Sequence, residues 1–396
     1  MKRSEELKEF YRGKRVLVTG HTGFKGSWLC AVLSQLGAEV YGYSLEAPTE
    51  PSLFEILSSG KTGVSGVLNG LAASHIGDIR NFEELLGFYR EARPDCVFHL
   101  AAQPIVRESY RIPRETYETN VMGTVNLLEC LRLVPGCRSF LNVTTDKVYL
   151  NEERPGYGYQ EDDKLDGYDP YSNSKSCSEL VTHAYQRSFF SGVGGTASAA
   201  GAAMESGRDE LGEKQKAGIL PAISTARAGN VIGGGDFAHD RIIPDCIRAA
   251  EKGEDILVRN PNSTRPYQHV LEPLAVYLTI VMRQAQDAGL AGCYNVGPDD
   301  CDCVTTGELA DLFVKAWGGD IRWNCPGQAG GPHEANFLKL NNQKIKDTFG
   351  WHPVWHIDRA VQETVHWQKA LLSGGTQAAG EELLRQISLY FSENPK

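Results

Sequence analysis

Tyr171 and Lys175 stand four residues apart near the start of an apolar-periodic stretch. That spacing puts both side chains on one face of a helix. A phenol with the ordinary pKa of about 10 is a poor base at neutral pH. A lysine cation nearby, together with the positive charge of an oxidised nicotinamide ring, favours the phenolate. The pair then suits removal of a proton from an alcohol as a hydride departs. Tyr-x-x-x-Lys is common by chance. Here it lies one strand downstream of Thr144-Thr145 and about 150 residues after a glycine-rich turn, which gives it weight.

That turn is Thr19-Gly20-His21-Thr22-Gly23-Phe24-Lys25-Gly26. An apolar run, Arg15 to Thr19, precedes it, and a helical stretch from Ser27 to Leu36, closed by Gly37, follows. Val40 to Tyr43 reads as the next strand. A strand–glycine loop–helix–strand unit lets backbone approach a pyrophosphate at a helix N-terminus, so a dinucleotide site is expected here. No acidic residue ends the second strand, where Ser44 stands with Glu46 beyond it. No arginine between residues 39 and 79 is available for a 2′-phosphate, which favours NAD over NADP. Asp78 reads either as a group facing the adenine or as a helix cap before Asn81.

The alternation continues down the chain. Strands are expected over 96–100, 140–144 and 224–228, with helices over 82–92, 116–133 and 170–190. Pro170 suits the first helical turn. Strands that are apolar throughout, alternating with helices, imply an α/β fold: a Rossmann-type doubly wound parallel sheet with a smaller C-terminal substrate-binding lobe. Residues 1–235 are assigned to the NAD-binding domain, with a low-complexity surface insertion at 191–218. Residues 236–396 are assigned mainly to the substrate lobe, with about 266–300 returning to the first domain.

The 396 residues carry a net charge of −10, which is no footprint for nucleic acid. No apolar run reaches membrane-spanning length, and the charged first residues carry no signal core. Ten scattered cysteines read as reduced thiols of a cytoplasmic protein. Cys301 and Cys303 form a C-x-C without a second pair at zinc-ligand spacing, so no metal is expected.

Taken together, several motifs resemble the CDP-glucose 4,6-dehydratases of the extended short-chain dehydrogenase/reductase family. They are Thr19 to Leu29, His99-Leu-Ala-Ala-Gln103, Thr144-Thr-Asp-Lys147, Asp169 to Lys175, Ala226 to Asp236 and Arg265 to Pro273. The resemblance spans roughly residues 13–370 and departs clearly at 191–218. It implies a nucleotide-sugar substrate, bound NAD and a homo-oligomer, dimer or tetramer, built from the helices at 116–133 and 170–190. It implies that Thr145 binds the sugar 4-hydroxyl beside Tyr171, and that Asp146 protonates the departing 6-hydroxyl. Lys147 stands where related dTDP-glucose dehydratases carry a glutamate that removes the C5 proton. By the same resemblance, Gly20, Thr22, Gly23, Phe24, Lys25, Gly26, Asp78, Ile79, Leu100, Ala101, Ala102, Asn120, Thr144, Tyr171, Lys175 and Arg227 line the cofactor. Gln103, Arg107, Asn230, Arg241, Arg265 and His333 meet the substrate. The product would serve deoxy-sugar assembly for cell-surface polysaccharide such as O-antigen. A nucleotide-sugar 4-epimerase shares the fold, the cofactor and the Tyr171–Lys175 pair. It needs no acid to expel a hydroxyl, so Asp146-Lys147 argues against it.

Overall fold

The structure is a computed structural model that describes residues 3–59, 67–190, 220–325 and 337–393. Seven parallel strands form its central sheet: β1 (Arg15–Thr19), β2 (Glu39–Ser44), β3 (Ala73–Ile76), β4 (Cys96–His99), β5 (Ser139–Thr145), β6 (Ala222–Ala228) and β7 (Cys293–Val296). Their order is β7-β6-β5-β4-β1-β2-β3. The winding reverses between β1 and β4, and a crevice opens beyond the carboxyl ends of strands at such a reversal. β5 and β6 are buried along their whole length, as strands covered on both faces must be.

The helices named below are α1 (Arg3–Tyr11), α2 (Phe24–Gln35), α3 (Phe82–Ala92), α4 (Gly123–Leu133), α5 (Pro170–Tyr185), α6 (Ile242–Lys252), α7 (Leu271–Gln286), α8 (Thr306–Trp317) and α9 (Ile357–Ser392). One core layer joins α2, α7 and α9 through Trp28, Leu29, Leu274, Tyr277 and Trp367. The opposite layer joins α3, α4 and the sheet through Leu85, Tyr89, Leu127, Leu131 and Phe140. A smaller core of Ile243, Ile247, Leu309, Phe313 and Val361 unites α6, α8 and α9. Trp28 shows how tight the first layer is. Its indole N–H donates to the Gly234 carbonyl at 2.9 Å, and a Cβ on Gly234 would lie 2.1 Å from the Trp367 ring. Truncating a tryptophan so placed costs about 3–5 kcal/mol.

Three local features depart from the sequence expectation. The helix expected over 116–133 is helical but not uniform: Pro113–Tyr117 is followed by a π-helical turn, Glu118–Met122, before α4. The wider turn rotates Asn120 into the interior, where its amide serves the Gln103 backbone and Ser174. The stretch to 190 likewise ends in a π turn over Gln186–Phe190. Strand β3 was not expected because its two central residues are polar: Ser74 bonds His21 and His75 bonds Glu84. The insertion at 191–218 lies outside the described residues.

α5 begins as its sequence dictates. Asp169 accepts the Ser172 N–H at 3.0 Å and Pro170 occupies the first turn. In α9, Gly375 adopts φ +65° and breaks the run into two arms, which meet where the Gln386 amide donates to the Glu363 carbonyl at 2.9 Å.

Candidate active site

The glycine turn joins β1 to α2 at the crevice. Gly20 has φ +77°, and a Cβ there would lie 2.8 Å from the Ala101 nitrogen. A Cβ on Gly26 would lie 2.0 Å from the Gly20 carbonyl oxygen. Both positions therefore require glycine, whereas Gly23 has nothing nearer its missing Cβ than the same carbonyl at 3.4 Å. The result is a bare backbone shelf at the N-terminus of a twelve-residue helix, a cradle that fits the pyrophosphate of a dinucleotide. Thr22 and Ser44 share a hydrogen bond of 2.9 Å, and Thr22 also donates to the Leu45 carbonyl. Two hydroxyls thus close the end of β2 in place of the missing acid.

Behind the shelf, His21 packs under β2. A Cβ on Gly42 would reach 2.3 Å from its ring. Burial lowers the pKa of this imidazole to about 4, and it holds Ser74 at 2.7 Å. Leu100, Ala101 and Ala102 follow β4 along the crevice, where the Thr19 hydroxyl accepts the Ala101 N–H at 3.2 Å. Ile79 lies over Gly123, and its carbonyl accepts from Asn126 at 3.0 Å. Asp78 is no helix cap; Asn81 takes that role, accepting the Glu84 N–H at 3.4 Å. The Asp78 carboxylate instead receives Arg80 at 2.6–3.0 Å.

At the end of β5 the expected chemical groups come together. The Thr145 hydroxyl donates to Asp146 Oδ1 at 3.0 Å and acts on the neighbouring Tyr171 phenol. Lys147 Nζ donates to the same Oδ1 at 2.9 Å and to Asn230 Oδ1 at 3.2 Å. Asp146 Oδ2 is buried and has no partner among the described residues. Arg241, the residue before α6, pairs with the mostly buried Asp236 at 2.9 Å and acts on the phenol electrostatically. Lys25 sits within electrostatic range of Arg241, Lys175, Asp146 and Lys147. Burial, then the neighbouring cations, lowers its pKa to about 7, with Asp146 opposing.

Lys175 is 4% exposed; its ammonium donates to the Val143 carbonyl at 3.1 Å, and burial lowers its pKa to about 8. Burial raises the Tyr171 phenol to about 12; the neighbouring Thr145 hydroxyl and Arg241 favour its phenolate, and Asp146 opposes it. The charge of a bound cofactor would favour the phenolate further.

Other expected residues stand elsewhere. Arg227 was expected at the cofactor. It is instead buried in the core, with Nε and Nη2 on Glu179 at 3.0 and 2.9 Å, and Nη1 on the Tyr149 hydroxyl and the Glu161 carbonyl. Thr144 points into that network, donating to Glu179 at 2.5 Å, because adjacent strand residues face opposite sides. The Gln103 side chain donates to Thr116 of the Pro113–Tyr117 helix and accepts the Ile105 N–H, and the Asn120 amide donates to the Gln103 carbonyl. Arg107 faces Asp240 at 3.5 Å. Arg265, 9% exposed, lies in the short strand Thr264–Pro266, paired antiparallel with Cys303–Thr305. His333 lies outside the described residues.

Two residues were missed by the sequence reading. Glu179 shares the helical face of Tyr171 and Lys175 at further four-residue steps, a spacing that signals a buried position. Asp236 stands in a quoted motif, yet its role as counter-ion to Arg241 has no local signal.

The family model for GDP-mannose 4,6 dehydratase matches residues 17–193. CDP-glucose 4,6-dehydratase of Salmonella typhimurium is 45% identical over 390 residues, covering 97% of this chain and 98% of that one. The chain belongs to the CDP-glucose 4,6-dehydratase family of extended short-chain dehydrogenases/reductases. Two solved structures share its fold. A dTDP-glucose 4,6-dehydratase from Bacillus anthracis in complex with NAD has a TM-score of 0.64 at 21% identity, covering 89% of this chain and 96% of its own. An epimerase from Methanothermobacter thermautotrophicus reaches 0.70 at 20% identity, covering 93% and 96%.

Proposed function

We infer that the chain is an NAD-dependent lyase that converts CDP-D-glucose to CDP-4-dehydro-6-deoxy-D-glucose and water. The observation that carries this reading is the Asp146–Lys147 pair, hydrogen-bonded to Thr145 and Asn230 beside Tyr171. The identity of a near full-length relative points the same way.

The shelf at Gly20–Gly26, the segment Leu100–Ala102, Tyr171 and Lys175 are the residues that would hold NAD. When bound, NAD accepts a hydride from the sugar and returns it. The Thr145 hydroxyl and the Tyr171 phenol would hold the sugar 4-hydroxyl, with Tyr171 Oη taking its proton. A ketone at C4 acidifies the C5 hydrogen. Lys147 Nζ and Asp146 are joined by one hydrogen bond, so a proton taken from C5 by Lys147 as an amine would be matched by one given by Asp146 as an acid to the departing 6-oxygen, and the net charge of the pair would not change. Arg241 and Arg265 would meet the diphosphate, since guanidinium groups match its oxygens two-pronged. Diphosphate and Asp236 would then compete for Arg241.

A 4-epimerase has no need of the Asp146–Lys147 pair. The test offers the protein CDP-, dTDP-, UDP- and GDP-glucose in turn and reads the alkaline ultraviolet absorbance of a 4-keto-6-deoxy sugar. Absorbance that grows fastest with CDP-glucose supports the reading. Conversion to an epimer without that absorbance contradicts it.

We also propose a homodimer through α4 and α5. Met122 just before α4, Leu180 in α5 and Phe189 in the turn after α5 are each about half exposed, and light scattering that returns a monomer would exclude it.

A further inference from the structure

We propose that Cys301, Asp302 and His356 form a binding site for a divalent transition metal, with Zn2+ the ion that best suits the donors. The C-x-C at Cys301–Cys303 lacks a second cysteine pair in sequence, and the fold supplies a histidine from fifty-five residues away instead. His356 Nδ1 lies 2.8 Å from Asp302 Oδ2 and 3.9 Å from Cys301 Sγ. One thiol, one imidazole nitrogen and one carboxylate oxygen all fall within 4.8 Å of one another.

These separations are near those a tetrahedral ion imposes. With Zn–S of about 2.3 Å and Zn–N and Zn–O of about 2.0–2.1 Å, the ligand atoms stand roughly 3.3 Å (N to O) and 3.6 Å (S to N) apart. A shift of about half an ångström of the exposed imidazole would satisfy both. A soft thiolate, an imidazole and a carboxylate together suit Zn2+ and exclude Ca2+ and Mg2+, which take oxygen.

The surroundings are also those of a ligand set. Asp302 is 2% exposed, and its Oδ1 accepts the Ile357 N–H at 2.9 Å. That bond fixes the carboxylate so that Oδ2 alone faces His356, an orienting contact common around metal ligands. Cys301 is exposed and His356 partly so, which leaves an entry path and a fourth position for water. Binding would release the thiol proton, and the Nδ1 proton from any imidazolium. Another ligand-rich cluster, Glu179–His183–Cys293, is unlike this one: both oxygens of Glu179 already hold Arg227.

The site would join two parts of the molecule. Asp302 leads directly into the strand Cys303–Thr305, in which Val304 pairs with Arg265. His356 precedes the first turn of α9. A metal here would staple the strand that backs Arg265 to that helix.

The experiment titrates the full-length protein, stripped with a chelator, with Co2+. The expected result is one equivalent bound, with a near-ultraviolet thiolate-to-cobalt band and the strong visible bands of a tetrahedral ion, both abolished by added Zn2+. In Cys301→Ser and in His356→Gln, Co2+ affinity should fall by more than the roughly 10–100-fold produced by changes outside the ligand shell. Turnover of the nucleotide sugar should change little. In the unsubstituted protein, Zn2+ should also slow alkylation of Cys301, read by peptide mass. Absence of the thiolate band, a band that survives either substitution, or alkylation of Cys301 indifferent to Zn2+ would overturn the site.

Discussion

Thr144 and Thr145 are neighbours on β5, yet they belong to two polar clusters of opposite character. Thr144 faces Glu179, a fully buried carboxylate whose oxygens receive Thr144, Thr225 and two nitrogens of Arg227 at 2.5–3.0 Å. Burial works against its charge, but Arg227 and these hydrogen bonds hold the Glu179 carboxyl below its ordinary range. Thr145 faces Asp146, whose Oδ1 is doubly bonded while Oδ2 is buried without a partner. Leaving a buried carboxylate oxygen unmet is unfavourable. A cluster that closes on itself stabilises a fold, whereas one held open in a crevice keeps binding capacity for a substrate.

The comparison can be broken by substituting each side and reading both stability and turnover. Tyr171→Phe should lower turnover most, by about 10³-fold, within the range for loss of a positioned acid–base group. Its thermal midpoint should change little, since the ring stays packed. Turnover near wild type would remove Tyr171 from the chemistry.

Arg227→Met should do the reverse. Removing one partner of a buried pair costs about 3–5 kcal/mol, visible as a lowered denaturation midpoint, while turnover per folded molecule stays within a few-fold. A variant of unchanged stability would show that Arg227 is not the structural anchor described.

Asp146→Asn keeps the shape of the site and removes its acid. Water loss should slow by roughly 10²-fold, while NAD is retained, measured by absorbance of the purified protein. Dehydration at the wild-type rate would transfer the acid role elsewhere.

The smallest effect is one of pH. The Lys25 pKa falls from its ordinary 10.5 to about 7 in the folded protein. Between these values the unfolded chain binds a proton that the folded one does not. The contribution of Lys25 to stability therefore rises with pH above about 7, and below that its burial penalty is fully present. Wild type should gain stability relative to Lys25→Met between pH 7 and pH 9, measured by urea denaturation at each. Parallel pH profiles would contradict the burial of that charge.

Much of the fold was legible because its signals are local. The β1–glycine turn–α2 unit, Pro170 at a helix start and the apolar runs of β5 and β6 each announce themselves within a few residues. β3 escaped notice because Ser74 and His75 are polar for reasons set by His21 and Glu84, which are distant in sequence. The Tyr171, Thr145, Asp146 and Lys147 cluster was legible from spacing and from resemblance to the family. The side chains of Arg227 and Thr144, expected at the cofactor, turn instead to Glu179, because motif membership does not tell which face of a strand a side chain leaves from. Helical spacing places Lys175 on the same face, but the Val143 carbonyl holds its ammonium.

The central claim is that one compact cluster serves three atoms of the sugar, C4, C5 and C6, without net oxidation. CDP-glucose carrying deuterium at C4, turned over with a substoichiometric amount of NAD, tests it most directly by mass spectrometry of the product. The expected product is a 4-keto-6-deoxy sugar with the deuterium at C6, formed with no net consumption of NAD. Product without the label at C6, or NAD consumed in proportion to sugar, would contradict it.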